Sequence, residues 1–156
     1  MSAETVNQIV ARLAQPGPLT LEEFAARLGA PLAPSVDNPS WAFYSFQLAG
    51  GPFAGGELRL NKAGTAALLS LEPRDPPGLT AAALDAAAWG PRLSLLPNPH
   101  IPPEGADTEI YGLNGVRVSA QWLHTSRRLR RLVLEWPLPD GAGPAAAPAP
   151  AAPSLN

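Results

Sequence analysis

The sequence predicts an α+β domain built on an antiparallel sheet of about six strands, with its helices mainly on one face. Three observations predict it. Hydrophobic residues repeat with helical spacing up to Leu28, and from Ser40 the period becomes two. The connections between the last strands of each half are short, which favours antiparallel neighbours. Leucine-rich runs end almost identically at two places, LLSLEP (68–73) and LVLEWP (132–137).

The elements follow in order. Val6, Ile9, Val10 and Leu13 form one stripe of a helix over residues 3–14, broken by Gln15-Pro16-Gly17-Pro18. Thr20 is placed to cap a second helix, and Glu23 to reach back and complete a capping box. Leu21, Phe24, Ala25 and Leu28 repeat the apolar stripe, and Gly29 and Pro31 end it. In WAFYSFQL (41–48), Ala42, Tyr44, Phe46 and Leu48 share one face, and Trp41, Phe43, Ser45 and Gln47 the other. GGPFAGG (50–56) reads as a turn and ELRLN (57–61) as an alternating strand. A hairpin turn at 62–65 and the strand ALLSLE follow, stopped by Pro73.

The pattern then restarts. Leu79-Thr80 opens a predicted helix through AAALDAAAW, which stops at Gly90-Pro91 as its predecessor stopped at Gly29-Ala30-Pro31. Asp85 falls on its solvent side and Leu84, Ala88 and Trp89 towards the sheet. After a proline-rich connection (96–105) come the strand TEIYGL, a turn at 112–115, and VRVSAQWL, with Val116, Val118, Ala120 and Trp122 on one face. LRRLVLEW then places Leu132, Leu134 and Trp136 together. Residues 19–73 and 79–137 therefore read as two tandem helix-strand-strand-strand units, each too small to bury a core alone. Chance recurrence of Leu-x-Leu-Glu in a leucine-rich chain is the plainer alternative. The expected domain is 1–139. Residues 140–156, mostly alanine and proline, have too little bulk and charge to order themselves and read as a passive tail.

Composition narrows function mainly by exclusion. Among 156 residues, 46% are hydrophobic, enough for a core, and only 15% are charged. A net charge of -2 gives no general case for nucleic acid. The absence of cysteine excludes disulfides, thiolate zinc sites and thiol catalysis. No export signal or spanning segment is evident, so a cytoplasmic protein without a membrane partner is expected. No phosphate loop, nucleophile elbow, metal motif or carboxylate cluster appears, so no cofactor and no metal are expected.

Two candidate sites remain. His100 and Glu104 share a rigid proline-rich loop, where an acid/base pair is conceivable and a structural crossing is the plainer reading. His124, at a strand end, reads as solvated. The basic cluster Arg127, Arg128, Arg130 and Arg131 divides between two hairpin faces, which suits protection of a sheet edge better than nucleic-acid binding. The other candidate is the sheet face away from the helices. Trp41 and Phe43 lie on it in phase, with Arg59, Arg117 and Gln121 on the polar phase of their strands. Exposed aromatics beside arginine commonly anchor a protein partner. Glu57 and Glu135 are expected to pair across that face with Arg59, Arg117 or Arg131. A loop covering the two aromatics is the alternative.

With the paired LLSLEP and LVLEWP segments, the layout over residues 19–137 resembles the β-lactamase inhibitor protein and many small bacterial immunity proteins that neutralise toxins. The inhibitor's disulfides have no counterpart here. The resemblance implies protein binding without catalysis, most concretely an immunity protein with a cognate toxin, and assigns no residue. A secretion-associated adaptor or chaperone is the second expectation, and an enzyme using the His100 loop the third.

Overall fold

The computed structural model describes residues 3–74, 79–80, 89, 92–96 and 106–137. Among them, α1 (Ala3–Leu13) and α2 (Leu21–Leu28) precede eight strands. These are β1 (Ala33–Asp37), β2 (Trp41–Gln47), β3 (Phe53–Asn61), β4 (Ala67–Pro73), β5 (Arg92–Leu96), β6 (Ala106–Leu113), β7 (Val116–Leu123) and β8 (Leu129–Trp136). All form one antiparallel sheet in the order β1-β2-β3-β4-β8-β7-β6-β5. The α+β architecture agrees with expectation, and the expected count of about six strands is corrected to eight.

The two similar endings lie side by side in the sheet. Each half of the chain contributes four consecutive strands, and the last strand of each half meets the other at the centre of the sheet. Ser70 pairs with Val133, flanked by Leu69↔Leu134 and Leu71↔Leu132. An offset of 63 positions carries one Leu-x-Leu onto the other, and the pairing is symmetric under it. Those four leucines are fully buried and form the middle of the core. Each half has four strands where three are expected, and residues 81–88 of the expected second helix lie outside the described residues, as does the tail.

The first of the two extra strands lacks the alternation of a half-buried strand. β1, Ala-Pro-Ser-Val-Asp, is exposed along its whole length. It exists because β2 offers it a ladder, and Pro34 is tolerated there because an edge strand has one side without partners. β5 follows directly on a predicted helix stop and is held by β6. The predicted turn at 50–56 is also shortened, because β3 begins at Phe53 and takes Gly55 and Gly56 into its ladder.

The helices behave as their sequence dictates, with one correction. Thr20 Oγ1 accepts from the Glu23 N–H at 3.1 Å, and Gly29 closes α2 in the left-handed conformation. Glu23 does not complete the capping box: its carboxylate takes the Arg27 guanidinium at 2.8 Å, one helical turn on. Arg27 in turn donates to the carbonyls of Leu13, Gln15 and Pro16 at the end of α1. Asn114 donates to Ala14 O and Trp136 Nε1 to Gln15 O. These donors satisfy carbonyls that a helix end leaves open. Val6, Val10 and Leu13 are fully buried, so α1 packs on the sheet of its own chain.

The helix-covered face carries rows such as Tyr44, Leu58, Leu69, Leu134, Val118 and Tyr111, read across six strands. Trp122, Trp136 and Trp89 belong to this core, as the sequence predicts. Trp89 meets Tyr111 edge-on and donates to Asn7 Oδ1 at 2.9 Å.

Candidate functional site: the polar face of the sheet

Antiparallel pairing puts directly opposed residues on the same face. The face away from α1 and α2 therefore has two central rows. One runs Ser45, Glu57, Ser70, Val133, Ser119 and Ile110. The next runs Phe43, Arg59, Leu68, Glu135, Arg117 and Gly112. Gln121 pairs with Arg131 in the row beyond Val133, and Trp41 with Asn61 in the row beyond Phe43.

The expected residues are brought together in part. Trp41 and Phe43 are half-buried at the β2 side of this face. The Arg59 guanidinium lies over the Phe43 ring, 4.8 Å from its centroid, and its Nε donates to Glu57 at 2.8 Å. Gln121 lies across the seam on the same concavity as Arg59. Arg117 differs from expectation: it is 5% exposed, sunk beside Glu135 at 3.9 Å, so it supports this face from within. The expected cross-sheet pairing of Glu135 with Arg117 is thus present, but it is buried rather than solvated.

The centre of the face is buried although neither described helix covers it. Leu68, Val133, Ser70 and Ser119 all have less than a tenth of their surface exposed. The register flanks these side chains with the long ones of Glu57, Arg59, Arg117, Arg131 and Glu135. The result is a concavity of about 440 Å³ rather than a flat plane, lined by Ser45, Glu57, Arg59, Ser70, Gln121 and Arg131, with Leu68 and Val133 as apolar floor.

Burial raises the pKa of Glu135, and Arg117 offsets that only in part. The folded chain therefore holds this proton more tightly than the unfolded chain. The group's favourable contribution is full below the ordinary carboxylate pKa and is lost as pH rises through the raised value. Wild type is expected to lose stability relative to Glu135→Gln across that window. Urea unfolding of both proteins at a series of pH values measures this, and parallel curves would count against a desolvated carboxyl.

A second polar cluster lies at the margin of the helix-covered face, which the sequence did not suggest. Asp107 Oδ2 meets His124 Nδ1 at 2.9 Å and Arg127 Nη1 at 3.1 Å. Glu109 Oε1 accepts from the Tyr111 hydroxyl and from Trp122 Nε1. His124, expected to be solvated, is half-exposed yet held by Asp107. A carboxylate that orients an imidazole is part of a catalytic triad. Among the described residues no nucleophile joins it, and Ser126 Oγ accepts from the Arg128 N–H. The cluster ties the start of β6 to the β7–β8 turn, where Arg127 adopts a positive φ of 58°. His100 and Glu104 lie outside the described residues. Among the described residues, no group of three or more potential ligands is arranged for a metal, and no helix is long and apolar enough to cross a membrane.

No protein family matches the sequence, and no curated protein does. A solved structure, that of a DUF4309 family protein from Bacillus subtilis, is similar at 14% identity, with 85% of this chain and 96% of that chain covered and a TM-score of 0.48. No residue role follows from a likeness at that level.

Proposed function

We propose that this chain is a non-catalytic protein-binding module, most concretely a bacterial immunity protein that acts in the cytoplasm by occluding a cognate toxin. The observation that supports it best is the polar face of the sheet. There a concavity of about 440 Å³ adjoins half-exposed Trp41 and Phe43, with Arg59 stacked on the latter. Aromatic and arginine side chains around a partly dehydrated centre are what a protein hot spot uses. The partner-binding residues are Trp41, Phe43, Arg59 and Gln121, with Arg117 as their buried support.

The test is an affinity pull-down from the native organism with the full chain, run beside a Trp41→Ala/Phe43→Ala double variant. The expected result is one specific protein retained by wild type and lost by a variant whose circular dichroism is unchanged. A toxin as partner supports immunity, and a secreted client would replace it with an adaptor role. A partner held equally by both chains, or no specific partner, counts against this face.

A further inference from the structure

Arg131 stands out on the same face. Its Nε, like that of Arg117, is buried and has no hydrogen-bond partner, and of the two arginines Arg131 is the one that lines the concavity. The other charged groups on the concavity are Glu57, Arg59 and Glu72. Glu57 is already neutralised by Arg59 at 2.8 Å, and Glu72 is exposed at the rim. No ion pair within 4.0 Å joins Arg131 to either carboxylate among the described residues. The concavity thus holds one guanidinium whose fork is unfilled, beside the hydroxyl-bearing Ser45 and Ser70 and the amide of Gln121. A buried donor without an acceptor is rare in a finished structure and calls for one.

We propose that this concavity is a carboxylate-binding subsite, in which Arg131, with Ser45, Ser70 and Gln121 as further donors, takes an aspartate or glutamate side chain of the protein partner. The inference rests on the reading of this face as protein-binding. A carboxylate entering the concavity meets the two Nη atoms end-on, a fork for which guanidinium is suited, while the buried Nε beneath them registers the added charge. The single charge matches a single unpaired cation. A dianionic phosphate would instead bring two charges to the one guanidinium left unpaired, with Glu72 at the rim. Leu68 and Val133, both 3% exposed, floor the site and suit the methylene stem of an acidic side chain.

The test follows the Arg131 Nε–H resonance of the full chain during titration with N-acetyl-glutamate amide. N-acetyl-glutamine amide and inorganic phosphate are titrated in parallel. The expected result is a saturable shift with the glutamate probe and binding of the glutamine probe at least about tenfold weaker. Arg131→Gln is expected to abolish the response read at Gln121. Arg131→Lys, which keeps the charge and loses the fork, is expected to weaken it, and stands in should the glutamine variant not fold. No saturable shift, an equal response to glutamine, or tighter binding of phosphate overturns the subsite. A partner captured through Trp41 and Phe43 with a silent Arg131 removes the subsite and leaves the protein-binding reading intact. A saturable Arg131 response with no captured partner overturns the protein-binding reading and turns the concavity into a site for a free carboxylate.

Discussion

Trp136→Ala is expected to destabilise the fold by about 4 kcal/mol and to loosen α1 from the sheet. Trp136 ends β8, is 3% exposed, and meets the Phe24 ring edge-on at 5.0 Å. It joins three elements at once: its backbone pairs with Ala67 in β4, its ring packs on α2, and its Nε1 donates to Gln15 O at 2.8 Å just past α1. Removing so large a buried side chain loses transfer free energy and leaves a cavity that strand and helix backbones cannot collapse into. Arg27 still reaches the Gln15 carbonyl at 3.0 Å, so the lost hydrogen bond is the smaller part. Trp136→Phe separates the two effects, with an expected loss of about 1–2 kcal/mol. Urea unfolding measures both, and hydrogen exchange of the α1 amides reports the loosening. An alanine variant within 1 kcal/mol of wild type would show that the ring is not a keystone.

Gly56→Ala is expected to cost about 3 kcal/mol or more, despite adding one methyl group. A Cβ on Gly56 would stand 1.8 Å from the backbone oxygen of Ser70 and 3.1 Å from Cζ of Phe46. The nearest atom is main chain in the middle of the β3–β4 ladder, so no side-chain rotation relieves the clash. Gly50→Ala is the control. No atom lies within 4 Å of the added carbon there, and the expected change is within about 0.5 kcal/mol. Equal melting curves for the two variants would refute the close approach.

Much of the fold was legible because burial and period coincide. Phe46, Leu58, Leu134 and Trp122 each stand on the face their alternation assigns. The α2 boundaries follow from Thr20 and Gly29, whose backbone roles are local and therefore visible in sequence. β1 was not legible, because its five exposed residues carry no pattern of their own and only the ladder offered by β2 makes them a strand. Gly55 and Gly56 misled in the opposite way: glycine usually marks a turn, and here it marks a strand pressed against the carbonyls of its neighbours. At the site, the shared phase of Trp41, Phe43 and Arg59 was readable along the strands. The depth of Arg117 was not, because it arises from cross-strand neighbours that no single segment contains. The Asp107–His124 contact joins β6 to the turn that follows β7, and its only sequence signal was a histidine at a strand end.

The symmetric seam also bears on how fast the chain finds its fold. Every strand contact except one is with the next strand in sequence, and the exception is β4 with β8. Leu69 and Leu134 must meet across a loop of roughly 60 residues, at an entropic penalty that hairpins avoid. Each four-strand half can zip locally, whereas the buried leucine layer forms only when the halves dock. Docking is then the slow step, and during it each half leaves one leucine-lined strand edge unpaired. A newly made N-terminal half waits in that state until β8 has been synthesised, which makes the interval before docking the period of greatest exposure to self-association.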